Sequence, residues 1–217
     1  NPIAVAQDAR LEYSGVEVVR DSNTIDDLIP GVTLNLRRPS DQPVTIDVNP
    51  DREQAKEAII ELVGLYNQVI RDINIYTRQE ESIIEEIEYF SEDERETARE
   101  RLGIFQGDSG ANQIRDRLQR IMMNPYSTDA GNQLRLLAQI GISTNASGAA
   151  TGGFNVSRLR GYLEISEDQL DTALEQNFEA IGQLFGQDTD GDLVMDLGVA
   201  VALDQYLAPY VRTGGIV

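Results

Sequence analysis

The chain of 217 residues contains no cysteine, no histidine and no tryptophan. Without cysteine there are no disulfide staples and no thiolate metal sites. Without histidine there is neither a Cys-His nucleophile pair nor a Ser-His-Asp triad. The missing cysteine leaves the compartment open, although it suits a protein exported unfolded or one that lives outside the cell without relying on oxidation. Lysine is nearly absent as well: Lys56 stands alone among 18 basic residues, a bias with no evident physical reason. No apolar run approaches the roughly 18 residues that a bilayer-spanning helix needs. No basic segment followed by an apolar stretch opens the chain, so no signal peptide is visible. The opening Asn-Pro-Ile, without a Met, reads as a trimmed piece of something longer.

What is present is acid. There are 37 acidic residues against the 18 basic ones, a net charge of −19. That balance argues against a sequence-independent grip on DNA or RNA, which depends on neutralising phosphates, and against docking on anionic lipid. Its plain consequence is solubility. Hydrophobic residues make up 41% of the chain, a globular value, and the length allows one large domain or two small ones with a real core.

The first 49 residues read as strands. Ser14-Gly15 forms a hairpin-like turn between Arg10–Tyr13 and Val16–Val19. Val32–Leu36 alternates after the Pro30-Gly31 punctuation, and Val44–Val48 alternates again after Pro43. The character changes at Asn49-Pro50, where Asn as cap and Pro at the first helical position predict a helix start. From Asp51 to about Phe90 the pattern is helical. Ile59, Tyr66 and Ile73 fall seven apart, as do Leu62, Val69 and Tyr76, and the two series are offset by three. They make an a/d seam and the candidate surface for helix packing or a subunit interface. Coiled-coil pairing and packing inside a bundle both fit it. The polar patch Thr77–Ser82 interrupts this stripe, and Ile83, Ile87 and Phe90 resume it.

Ser91 with Glu94, and Ser166 with Gln169, have the form of capping boxes. Between them lie a helix carrying Ile114, Leu118, Ile121 and Met122, another around Asn132–Gln139, and a flexible small-residue loop at 141–153. A short strand at Tyr162–Ile165 precedes a helix with Leu170, Ala173, Leu174, Phe178 and Ile181 on one face. A last helix is expected from about Leu193 to Val211, ending towards Gly214-Gly215. The fold class is therefore α+β: a small antiparallel β segment over 1–49, then a mostly helical, bundle-like domain over 50–217.

Candidate chemistry is thin. "DTDGD" at 188–192 invites a calcium reading, but placing Gly191 at the sixth position of an EF-hand loop puts Gly186 first and Leu197 last, so both key ligands are missing. It reads instead as a solvated acidic turn. The run Glu80, Glu81, Glu85, Glu86, Glu88, Glu92, Asp93 and Glu94 offers paired carboxylates. Glycosidase chemistry needs two of them flanking a cleft with one pKa raised, whereas a helix with Ile83, Ile84 and Ile87 between them reads as a wet face. "GDSGAN" at 107–112 is not a nucleophile elbow, and no phosphate-cradling or dinucleotide motif occurs. No catalytic, cofactor-binding or metal-binding residue is expected, and the chain does not read as an enzyme.

Taken as one ordered string, the segments resemble a known family. "AQDARLEYSGVEVVRDSNTIDDLIPGVTLNL" is similar to the start of the C-terminal region of the flagellar filament cap protein, also called hook-associated protein 2. The likeness rests on Ala6-Gln7-Asp8-Ala9, the Gly15 turn, Ser22-Asn23 and the Gly-Val-Thr-Leu strand at 31–34. "LVGLYNQVI" (62–70) resembles the family's helix with its Tyr-Asn pair, here Tyr66-Asn67. "IFQGDS" (104–109), "LLAQIGIST" (136–144) and "GYLEISEDQLDTALEQNFEAIGQLF" (161–185) follow in family order, as do Gly198 and the tail from Tyr210 to Gly215. The chain departs in showing Arg160-Gly161 where Asp-Gly usually leads the Gly-x-Leu element, and in its Gly/Ala-rich stretch at 145–153.

The resemblance implies a β-rich head segment over 1–49 and a helical leg over 50–217. It implies a structural protein that forms a homo-oligomeric ring, five- or six-fold in full-length members, at the tip of the bacterial flagellum. Flagellin and the proteins of the hook–filament junction would be its partners. The location would be extracellular, reached through the flagellar export channel, with a periplasmic flagellum equally compatible. A second reading is adhesion, with exposed head loops contacting surface ligands. Neither role calls for a cofactor, a nucleic acid or membrane insertion.

Overall fold

A computed structural model describes residues 7–29, 32–40, 42–46, 49–144 and 160–212. The chain divides into two compact units between Asn49 and Pro50. In the first, β1 (Ala9–Tyr13) pairs antiparallel with β2 (Val16–Arg20), with Tyr13 opposite Val16. The two turn residues both take positive φ, Ser14 at 51° and Gly15 at 84°, the left-handed pair that matches strand twist in a two-residue hairpin. A second hairpin joins β3 (Thr24–Ile29) to β4 (Val32–Asn35), with an irregular register between Ile25 and Ile29. β3 escapes sequence reading because Asp26-Asp27 breaks its alternation. Among the described residues of this unit Ile25 alone is buried. The expected strand at 44–48 does not form over 44–46: Val44 and Ile46 are exposed, and among the described residues no strand pairs with them. Asp47 and Val48 lie outside the described residues.

The second unit is mostly helix, so the class is α+β as expected. α1 runs Arg52–Thr77 and is capped by Asp51, whose carboxylate accepts the Gln54 N–H at 2.9 Å. The expected cap, Asn49, therefore stands two residues too early. The helix stops at Thr77, and α2 (Ser82–Glu85) is a single separate turn. α3 (Glu92–Arg101) starts on the expected reciprocal box: Ser91 accepts the Glu94 N–H, and Glu94 accepts the Ser91 N–H at 2.8 Å. α4 (Ser109–Met123) is capped by Asp108. Where one helix was expected around 132–139, two 3-10 turns occur, Gly131–Gln133 and Leu137–Ile140.

The loop expected at 141–153 is not loose at its start. Ile142–Ser143 forms β5, which pairs with β6 (Glu164–Ile165), and Ile142 is buried. Gly141 makes this entry possible, since its φ is 86° and a Cβ there would lie 2.9 Å from the Ser166 carbonyl oxygen. Residues 145–153 lie outside the described residues. α5 (Glu167–Phe185) follows with a break in helical geometry at Asn177, and the Ser166 side chain makes no cap bond. α6 (Val199–Val211) begins six residues later than expected, after an exposed turn over 188–195. Gly198 sets that start: at φ 121° its backbone runs against the Phe185 carbonyl, where a Cβ would collide.

Two cores result. The larger unites Ile59, Val63, Tyr66 and Ile70 of α1 with Leu118 and Met122 of α4. Leu170, Leu174, Ile181 and Leu184 of α5, together with Leu137, Ile140 and Val199, complete it. The smaller gathers Ile75, Ile83, Ile84, Ile87 and Ala98 at the C-terminal end of α1.

Candidate packing and docking surface

α1 carries two apolar stripes, and the structure separates the six residues of the expected seam between them. Ile59 and Tyr66 are buried in the larger core, and Ile73 packs against it. Their buried companions are Val63, Ile70 and Thr77, four residues on, rather than Leu62, Val69 and Tyr76, three residues on. Hydropathy hid this because the true companion series ends in a threonine, while a helix admits either offset equally well. Leu62 lines a surface groove, Val69 is 44% exposed, and Tyr76 packs beside the smaller core with its ring edge-on to Phe105 at 5.9 Å. The outward stripe reads Ala58, Leu62, Leu65, Val69, Asp72, Tyr76, an alternation of four and three.

The inward face contains three polar side chains, those of Tyr66, which the sequence placed on the packing seam, and of Asn67 and Asn74. Each catches the backbone of 160–163 as it returns to the helix. The Tyr66 hydroxyl donates to the Gly161 carbonyl at 3.0 Å. Asn67 acts as a surrogate strand: its amide nitrogen donates to the Leu163 carbonyl and its oxygen accepts the Leu163 N–H, both at 2.8 Å. Asn74 donates to the Arg160 carbonyl at 3.0 Å. Burial pushes the Tyr66 phenol up from its ordinary range and keeps it a neutral donor. These bonds place β6 beside β5 and so complete the larger core. The signal for them was the Tyr66-Asn67 pair itself; for Asn74 and Arg160 the sequence held none.

Arg160 is 2% exposed, yet it carries a charge. It donates to Glu86 at 2.6 Å and to Ser82 Oγ at 3.2 Å. Glu86 stays exposed on the wet face expected for the acidic run, with its side chain 42% exposed, while one carboxylate oxygen takes the Arg160 bond. Glu80, Glu81, Glu85, Glu88, Glu92, Asp93 and Glu94 stay exposed, with Ile83, Ile84 and Ile87 buried between them.

Two recesses flank the outward stripe of α1. A groove of about 290 Å³ near its N-terminal end is walled by Ala55, Ala58 and Leu62 against Leu174, Phe178 and Phe185 of α5, all apolar. A cleft of about 360 Å³ near its C-terminal end lies against α3, with Arg71, Tyr76, Tyr89, Asp93 and Arg101 on its walls. Neither presents a nucleophile with a base. Both suit packing.

The turn at 188–196 organises itself. Asp188 accepts the backbone N–H groups of Gly191 at 2.7 Å and Leu193 at 2.9 Å, and these bonds hold its carboxyl below the usual range. Asp188, Asp190 and Asp196 each offer an oxygen within 4.8 Å of the others, a cluster these internal bonds account for. In "GDSGAN", Asp108 is the cap of α4 and Ser109 its first residue, a helix start rather than an elbow.

The described surfaces of this helix-rich α+β module are apolar stripes, a groove and a cleft. Comparison with known proteins specifies the family. The family described as flagellar hook-associated protein 2 C-terminus matches residues 6–217, and the chain belongs to that family. The flagellar hook-associated protein 2 of Treponema maltophilum is 45% identical over 217 residues, covering all of this chain and 32% of that protein. That of Treponema pallidum (strain Nichols) is 44% identical, covering all of this chain and 30% of its own length. The crystal structure of the flagellar cap protein FliD from Escherichia coli superposes with a TM-score of 0.61 at 25% identity, covering 98% of this chain and 48% of that one. The chain thus spans about a third of the length of these Treponema relatives.

Proposed function

We propose that this chain is the C-terminal part of a filament cap, a structural protein that sits at the distal end of the bacterial flagellum and guides flagellin subunits into the growing filament. The observation that carries this reading is the match of residues 6–217 to the hook-associated protein 2 C-terminus family, together with the superposition of 98% of the chain on a flagellar cap protein of known structure. Residues 1–49 then belong to the β-rich head and 50–217 to the helical leg. Mechanism is steric: a five- or six-fold ring, mismatched to the filament, leaves one gap at a time for insertion, and no bond is made or broken. The outward stripe of α1 serves helix or subunit packing in that ring through exposed Val69 and half-buried Leu62, with Tyr76 already packed beside the smaller core, because a 4-3 alternation is the pattern that a neighbouring helix covers. Contacts with neighbours through so acidic a surface are salt-sensitive. Among the described residues no helix is long and apolar enough to cross a membrane, which accords with secretion through the export channel.

Deletion of the gene for the full-length protein tests the reading. The expected result is unpolymerised flagellin in the medium or periplasm and hooks without filaments by electron microscopy. Normal filaments with normal motility would overturn it.

A further inference from the structure

Residues 82–101 have a core of their own. Ile83 and Ile84 of α2, Ile87, and Ala98 of α3 close on Ile75 at the end of α1, apart from the larger core. The chain enters and leaves this piece at one place. The Gly103 N–H donates to the Ile75 carbonyl and the Phe105 N–H to the Tyr76 carbonyl, both at 2.8 Å, while Gln79 bonds Gln106 across the stem at 2.6 Å. Gly103, at φ 71°, makes the return turn against the Arg78 carbonyl. A segment whose two ends are pinned together can swing without disturbing what lies before or after it.

Its contact with α1 is also interrupted: a solvent-open cleft of about 360 Å³ lies between α1 and α3, so the two helices meet over only part of their facing surfaces. On the far side Arg160 reaches across, donating to Glu86 at 2.6 Å and Ser82 at 3.2 Å while Asn74 holds its carbonyl to α1. That clasp is not fully satisfied. Among the described residues the buried Arg160 Nε and Asn74 Oδ1 have no hydrogen-bond partner, and a buried group left unpaired favours the state in which water reaches it. Among the described residues, half-buried Arg71 and exposed Arg101 also bond across the cleft, to the Tyr89 and Tyr76 hydroxyls.

We propose that α2 and α3 form a flap that opens as one piece from the helical unit, hinged at 78–81 and 102–105 and latched by the Arg160 guanidinium on Glu86 and Ser82. The flap is a sub-global unit of lower stability than the larger core, and its opening exposes the aromatic wall of the cleft.

Hydrogen exchange on the full-length protein, read by mass spectrometry, tests this. In the unmodified protein the amides of 82–101 are expected to exchange together and at least tenfold faster than those of 59–70 and 170–184. Glu86→Gln should accelerate 82–101 by a further tenfold or more and leave the other two segments unchanged. Ser82→Ala, which removes only the longer bond, should do the same by a smaller factor. Exchange of 82–101 at the rate of the larger core in the unmodified protein would refute the flap. Acceleration by Glu86→Gln spread evenly over all three segments, or absent from 82–101, would refute the latch.

Discussion

Asn67→Ala should unfold the helical unit more readily than its half-buried position suggests. The substitution deletes two hydrogen bonds, but the larger effect falls on the residue left behind. Leu163 is 5% exposed, and both its N–H and its C=O have Asn67 as their 2.8 Å partner. A buried backbone group stripped of its partner costs about 1–3 kcal/mol, so two of them set a loss of about 2–6 kcal/mol. Water entering the space left by the amide brings the expected value towards about 2–3 kcal/mol. β6 begins at the next residue, so the loss propagates into its pairing with β5. Urea unfolding followed by far-UV circular dichroism measures it: the midpoint should fall by about 1 M for a slope of 2–3 kcal/mol/M, the slope itself unchanged. A loss below about 0.5 kcal/mol for Asn67→Ala would refute the view that this side chain stands in for a strand.

Three other outcomes are expected. Val69→Asp, on the exposed stripe of α1, should change stability by no more than about 0.5 kcal/mol while abolishing assembly of the full-length protein in sedimentation velocity; unchanged assembly would remove that stripe from any interface. Gly198→Ala should destabilise by about 2 kcal/mol or more, because it adds a left-handed strain to a collision with the Phe185 carbonyl, and thermal unfolding will show it. Asp188 has its folded pKa depressed, so its contribution is present above the ordinary value of 3.8 and is lost as pH falls through the lower folded value. The Gly191 and Leu193 amide resonances should therefore hold steady down to that ordinary value and move only below it; a midpoint at or above 3.8 would contradict the backbone bonds.

What was legible in the sequence was local. The Ser14-Gly15 turn, the Ser91–Glu94 box, the apolar stripe of α4 and the amphipathic face of α5 each depend on residues within a turn or two of one another. Chain order alone also carried the family, since short motifs in sequence keep their meaning without a fold. The misreadings have one cause. The cap at Asp51 rather than Asn49, and the late start of α6, are matters of which candidate the surrounding backbone selects. The missing strand at 44–46 had the alternation but no neighbour among the described residues, and alternation forms a strand only against another strand.

The face that α1 turns inward was only half legible, through Ile59, Tyr66 and Ile73. Both offsets, three and four, are helical, and only α4 and α5 decide between them. Asn67 meets Leu163 across 96 residues, Asn74 meets Arg160 across 86, and Arg160 meets Glu86 across 74. A polar residue announces its partner in sequence only when that partner is near. So the sequence by itself determined where helices and turns lie and to which family they belong. Tertiary packing alone decided which stripe of α1 became core and which stayed outside, because burial belongs to pairs of surfaces and no single segment contains both.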